Sequence, residues 1–317
     1  MVAGKGGPYE GEDMASPQAE EQKALLRNFK EAALGSGGSG DAPTPAEMRA
    51  SDAMMAAMTA EPDGVTYETV DADGVPAMWV TPEGADPHKV VMYLHGGGYV
   101  IGSMHSHAKL VGHICKAAGV RGLNVDYRLA PEHPHPAAVE DAIIAYRWLL
   151  TEGIAPGRIV ISGDSAGGGL TVATLVAIRD RDLPRPAAGV PLSPWIDLEG
   201  TGESMTTRAH LDLVVDATGL KGMADMFLQG QSASDPLAAP LHANFEGVAP
   251  MYIQVGDEET LLDDSARLAE RASAAGVDVR IDVFPEMQHV FQLGAGNLPE
   301  ADEAVARIGE YIRARLA

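Results

Sequence analysis

The sequence predicts an α/β protein, with a mostly parallel central sheet of about eight strands flanked by helices. Three observations carry this reading. Apolar strand patterns alternate with helical patterns from residue 90 to residue 315. Two of those strands run straight into glycine-rich loops, His95-Gly96-Gly97-Gly98 after 90–94 and Gly163-Asp164-Ser165-Ala166-Gly167-Gly168-Gly169 after 159–161. The chain has 317 residues and 45% hydrophobic content, enough for one large domain with an accessory segment.

Taken in order, Glu20 to Leu34 reads as a helix, with Ala24, Leu25, Phe29, Ala32 and Ala33 at roughly helical spacing. Gly35-Ser36-Gly37-Gly38-Ser39-Gly40 reads as a flexible linker. It looks like an introduced spacer, which leaves open whether residues 1–40 all belong to the natural gene. A helix is expected from Thr44, with Pro45 in its first turn and Met48, Met54, Met55 and Met58 near helical spacing. The segments 65–70 and 75–80 flank the turn Asp71-Ala72-Asp73-Gly74 and predict an antiparallel hairpin at one sheet edge. Strands follow near 90–94, 120–125, 159–162, 189–192, 251–255 and 279–284, and helices near 106–118, 137–151, 166–179, 263–275 and 300–315. Residues 197–246 break the alternation. That stretch is too long for a simple loop, and Leu220, Met223, Ala224, Met226, Phe227 and Leu228 suggest a short apolar helix within it. An insertion there would lie beside the carboxyl ends of the strands and form a lid over a ligand crevice.

Composition excludes several classes of partner. The formal net charge is −22, which disfavours nucleic acid, anionic membranes and polyanionic substrates. No run approaches the roughly 18 apolar residues of a spanning helix, and no signal-peptide pattern is seen. The single cysteine, Cys115, rules out an internal disulfide, lies in an apolar helical pattern and reads as a packed side chain. A reducing, cytoplasmic location is expected.

The second glycine loop fits a nucleophile elbow, a strand-to-helix turn whose neighbours must be glycine. G-x-S-x-G alone is a weak signal, and its weight comes from the flanking strand and helix and from the earlier triplet of glycines. That earlier loop would aim backbone N–H groups at a developing oxyanion. Ser165 is then a nucleophile toward carbonyl carbon and needs a base. Among ten histidines, His289 follows the last strand, as the chain order serine, acid, histidine requires, and His242 is the weaker candidate. The acid lies in Gly256-Asp257-Glu258-Glu259-Thr260-Leu261-Leu262-Asp263-Asp264. Asp263 and Asp264 look like first-turn helix residues, and spacing leaves Asp257 and Glu259 as rivals.

These loops, together with Asp126-Tyr127-Arg128-Leu129-Ala130-Pro131-Glu132-His133-Pro134, resemble the hormone-sensitive-lipase-like family of ester hydrolases, in its bacterial esterase branch, over roughly residues 45–315. The resemblance implies an α/β-hydrolase fold and a carboxylesterase acting through an acyl-enzyme. It divides the chain into an N-terminal cap segment (1–60), a catalytic core (61–196 and 247–317) and a cap insertion (197–246). Within the family pattern G-x-x-[DE]-x-L it selects Glu259 as the acid. It assigns the oxyanion donors to the backbone of Gly97, Gly98 and Ala166, and makes the third motif a structural turn behind the oxyanion loop. It implies no cofactor and no metal, short- to medium-chain acyl esters as substrates, and pairing into a homodimer. Tyr99, Met223 and Phe227 are pocket candidates, with Met54, Met55, Met58 and Met226 as further possible acyl contacts. His105-Ser106-His107 and His133-Pro134-His135 have metal-like spacing but are expected to lie in solvent-side loops. The same triad could serve amide hydrolysis. A non-catalytic ligand-binding relative would usually lack a triad member.

Overall fold

A computed structural model of the chain describes residues 15–35 and 44–317. The expected linker lies, from residue 36 onward, outside the described residues. Eight strands form one sheet in the order β1-β2-β4-β3-β5-β6-β7-β8. They are β1 (Val65–Asp71), β2 (Pro76–Pro82), β3 (Asp86–Leu94), β4 (Val120–Val125), β5 (Ile159–Asp164), β6 (Ala188–Leu192), β7 (Met251–Gly256) and β8 (Val279–Phe284). The hairpin β1–β2 occupies one edge, as its turn residues predict: Asp71 Oδ1 accepts the Gly74 N–H at 2.6 Å, and Gly74 takes φ 91°. β2 is antiparallel to both its neighbours, and every later pairing is parallel.

Burial on both faces explains the continuous apolar strands. Side chains alternate along a strand, so Val91 and Tyr93 of β3 face α4 (Ala108–Ala118) and α10 (Pro299–Arg315). Met92 and Leu94 face α5 (Ala137–Thr151), α6 (Ala166–Asp180) and α9 (Leu262–Ala274) on the other side. Cys115 is fully buried in the first of these layers, where burial pushes its thiol far up. β3 lies between β4 and β5, so the strand order reverses there. Both glycine loops leave the carboxyl ends of strands at this switch point, where α/β sheets bind ligands.

The remaining helices are α1 (Pro17–Gly35), α2 (Pro45–Arg49), α3 (Asp52–Met58), α7 (Ser204–Thr207) and α8 (Ala217–Leu228). The helix expected from Thr44 is thus two helices. Thr44 and Glu47 form a reciprocal cap at its start. It breaks at Ser51, whose Oγ donates to the Met48 carbonyl at 2.7 Å. Arg49, just before the break, reaches the carbonyls of Val100 and Ala130 and the carboxylate of Glu132. Among the described residues, no helix is long and apolar enough to cross a membrane.

Backbone packs closely against backbone under the second glycine loop. A Cβ on Gly167 would stand 2.0 Å from the Leu94 carbonyl oxygen and 2.4 Å from that of His95. Gly167→Ala is therefore expected to cost about 3 kcal/mol or more, the upper end of overpacking penalties, because backbone must move. Thermal melting checks this, and a variant that melts with the parent would contradict the packing.

Candidate active site

Ser165 sits where β5 turns into α6, with φ 54° and ψ −121°. Such a backbone is uncommon for a side-chain-bearing residue, and its surroundings hold it there. Its N–H donates to Leu192 O, at the end of β6, at 2.8 Å, and its carbonyl accepts from Trp195 N, just beyond that strand, at 2.9 Å. The bend places Oγ 2.9 Å from His289 Nε2. His289 comes from the loop after β8, in which Glu286 (φ 58°) and Val290 (φ 51°) reverse the chain.

His289 Nδ1 lies 2.8 Å from Glu259 Oε2. The carboxylate is fully buried, and its Oε1 accepts from Gly256 N at 2.6 Å and from Ser193 Oγ at 2.7 Å. Asp257 points elsewhere: its Oδ1 accepts the Glu286 N–H at 2.6 Å and so braces the histidine loop. Gly256 allows the two loops to touch, since a Cβ there would lie 2.1 Å from Met287 O. Asp264 is buried and binds the N–H groups of Ile196 and Asp197 at 2.8 and 2.9 Å, away from its own helix; burial pushes it up to about 7. Ser193 was not anticipated. It bridges Glu259 and Val290 N (3.3 Å) from the end of β6, and that position at a strand's carboxyl end was the available signal.

Burial alone would pull the His289 imidazole down, but the hydrogen bond and charge of Glu259 outweigh it and hold the ring above its ordinary value. Burial raises Glu259 in turn, opposed by His289, Gly256 N and Ser193. Such a chain can draw a proton from a serine hydroxyl and stabilise the imidazolium that results.

Gly97 and Gly98 adopt φ 112° and 61°, and the amides of Gly97, Gly98 and Ala166 have no hydrogen-bond acceptor among the described residues. They are thus free to meet a ligand oxygen. A Cβ on Gly98 would lie 1.9 Å from Met223 Sδ, so that side chain of α8 packs directly on the glycine and would have to shift for any larger residue. The motif 126–134 lies behind this loop. Tyr127 donates to His95 O at 2.7 Å and stacks on the His95 ring, while Arg128 forks onto Asp141.

Ser165, His289, Gly97 and Gly98 open into a cavity of about 290 Å³, walled by Met54, Met55 and Met58 of α3 and by Leu220 and Met223 of α8. Gln22 and Leu26 of α1 complete the wall. Of the three pocket candidates only Met223 lines it. Tyr99 and Phe227 are a correction: they stack on each other at 3.9 Å inside the core, both about 1% exposed. Tyr99 leaves the first glycine loop at φ 63°, and its ring is buried in the layer against α6 and α8. Met226 also does not line the cavity. One member of each histidine pair is a second correction, while His105 and His133 are exposed as expected. His107 and His135 are buried, not solvent-side, beside Asp164 and Asp235 respectively, each at 3.3 Å. Among the described residues, no group of three or more His, Cys, Asp or Glu side chains is arranged to hold a metal ion.

Known proteins match this architecture. The pattern of the α/β hydrolase fold family covers residues 91–293. The chain is similar to an acetyl-hydrolase of Streptomyces hygroscopicus, at 45% identity over 237 residues, 75% of this chain and 79% of that protein. An esterase of Acinetobacter venetianus is 33% identical over 72% of this chain and 75% of its own length. The crystal structure of an esterase from the bacterial hormone-sensitive lipase family superposes with a TM-score of 0.90 at 46% identity, over 96% of this chain and all of that one. The chain belongs to the α/β hydrolase superfamily, within the bacterial hormone-sensitive-lipase-like family of esterases.

Proposed function

We propose that the protein hydrolyses short- to medium-chain acyl carboxylic esters through a Ser165–His289–Glu259 triad and an acyl-enzyme intermediate. The observation that carries this reading is the unbroken chain of contacts from Ser165 Oγ to His289 (2.9 Å) to Glu259 (2.8 Å) at the floor of an apolar cavity. The ester carbonyl oxygen faces the amides of Gly97, Gly98 and Ala166. Ser165 Oγ bonds to the carbonyl carbon as His289 Nε2 takes its proton, and the tetrahedral oxyanion is held by those amides. His289 returns the proton to the alkoxide, which leaves as the alcohol. Water then adds to the acyl-enzyme, gives its proton to His289, and the carboxylic acid leaves as Ser165 is reprotonated. Glu259 holds the imidazole in the tautomer with hydrogen on Nδ1 and offsets its charge. α1, α3 and the 197–246 insertion act as the cap that shapes the acyl and alcohol sites.

The chamber of about 290 Å³ is at the small end of ligand sites, roughly 300–1,000 Å³, which supports small esters. A second reading, longer acyl chains, is favoured by an adjoining chamber of about 640 Å³ that shares Leu26, Met54, Met58 and Val214 with the first. A p-nitrophenyl ester series separates them. Specific activity is expected to peak within about two to eight acyl carbons and to fall at least tenfold by about sixteen. A steady climb to sixteen would select the second reading.

A further inference from the structure

The oxyanion amides come from two separate loops, Gly97 and Gly98 after β3 and Ala166 after β5, so something must fix one loop against the other. Asp164, the residue before the nucleophile, spans them. Its Oδ1 accepts from the Gly96 N–H at 3.1 Å and from the Tyr93 hydroxyl at 2.8 Å, and its Oδ2 meets His107 Nε2 at 3.3 Å. The carboxylate and the imidazole are both buried, yet both border the cavity beside Ser165. The fit leaves no slack, since a Cβ on Gly96 would stand 2.1 Å from Asp164 Oδ2.

His107 is engaged at both ring nitrogens. Ser106 Oγ, which accepts the Ser103 N–H at 2.9 Å, lies 2.9 Å from His107 Nδ1 and 3.0 Å from the Ser103 carbonyl. Nε2 faces a carboxylate that already takes donors from Gly96 and Tyr93, and it donates to that carboxylate as well. Opposite this anion the buried imidazole is held toward its protonated form.

We infer that this buried His107–Asp164 ion pair is the positioning unit of the oxyanion hole, clamping the first glycine loop to the nucleophile turn and setting a cation in the cavity wall. The inference rests on the proposed esterase reading and names residues that reading does not use. The surroundings agree. Other groups facing His107 are Asp52 on α3, whose charge favours the cation, and the rings of His95 and Tyr93, at 5.6 and 6.4 Å. Burial, joined by the His107 charge, holds His95 down to about 4, so it is neutral, and burial keeps the Tyr93 phenol protonated. Burial opposes the charge on both members of the pair, but Asp164 holds His107 above its ordinary value, and His107, with Tyr93, holds Asp164 below its own.

Asp164→Asn and His107→Gln, singly and together, test this against the parent and Ser165→Ala. The readouts are kcat and KM for p-nitrophenyl butyrate and the inhibition constant of a trifluoromethyl ketone, which mimics the tetrahedral adduct. Each single variant is expected to lose about 10- to 100-fold in kcat with KM within about twofold, since mis-aimed donors affect the transition state more than substrate binding. Affinity for the ketone should fall by the same factor. The double variant should lose no more than the worse single one, because the two act as a unit. His107→Gln leaves the Gly96 and Tyr93 bonds in place and carries the test if Asp164→Asn does not fold. A folded His107→Gln with kcat within about twofold of the parent, losses that appear in KM, or losses that multiply in the double variant overturn the inference. If Ser165→Ala is inactive while these variants are parent-like, the clamp alone is wrong; an active Ser165→Ala sinks the underlying esterase reading instead.

Discussion

Ser165→Ala is expected to lower kcat for p-nitrophenyl butyrate by about 10⁵- to 10⁶-fold while leaving the fold intact. The substitution removes one atom, the Oγ that lies 2.9 Å from His289 Nε2, and leaves the imidazole and the three amides where they are. Alanine tolerates the φ of 54° no worse than serine, so the bend survives. On the proposed mechanism what remains is catalysis by the oxyanion donors acting on water, which in serine hydrolases leaves roughly 10³–10⁴ over the uncatalysed rate. The size of the drop should thus exceed the loss of any one donor, typically about 10²–10³. Steady-state turnover measures the drop, and an active-site fluorophosphonate should label the parent once per chain and the variant not at all. A variant retaining more than about 1% of parental kcat would show that another group attacks the ester.

Much of this site could be read from residue order, because local geometry dictates local composition. The turn at Ser165 needs glycine on either side: at Gly163 and Gly167 a Cβ would meet backbone oxygens at 2.4 and 2.0 Å. Strands buried on both faces had to be continuously apolar, and the hairpin at the edge had to carry a turn with positive φ. What spacing could not convey was orientation. Tyr99 follows the first glycine loop directly, yet its ring stacks on Phe227 in the core. His107 and His135 looked like loop residues because their partners, Asp164 and Asp235, lie far along the chain. The acid was ambiguous for the same reason. Asp257 and Glu259 are two residues apart, and the turn after β7 sends one toward the backbone of Glu286 and the other toward His289. The family resemblance favours Glu259, and the folded turn is what sets that carboxylate, not Asp257, against His289 Nδ1. Ser193 escaped notice because its role exists only once β6, β7 and the histidine loop are adjacent.

Glu259→Gln and Asp257→Asn should therefore have opposite outcomes although they lie on one turn. Glutamine at 259 keeps the volume and can still accept from Gly256 N or Ser193, but it no longer offset the charge that develops on His289, and its amide can hold the ring in the wrong tautomer. A loss of about 10⁴ in kcat is the expected size for that change in a serine triad. Asparagine at 257 keeps the acceptor for Glu286 N and should cost less than about threefold. The pH profile supplies a second, independent sign. The proposed mechanism requires neutral His289, so in the parent kcat/KM is expected to fall as pH drops through an imidazole value that Glu259 holds above the ordinary one. Without the anion that support is gone while burial still disfavours the charged ring, so the acidic limb of Glu259→Gln should move to lower pH even as its plateau collapses. Asp257→Asn should leave the limb in place. A collapse in Asp257→Asn with Glu259→Gln within about tenfold of the parent would transfer the acid's role to the other carboxylate, and a limb that moves upward in Glu259→Gln would remove the ion-pair account of the histidine altogether.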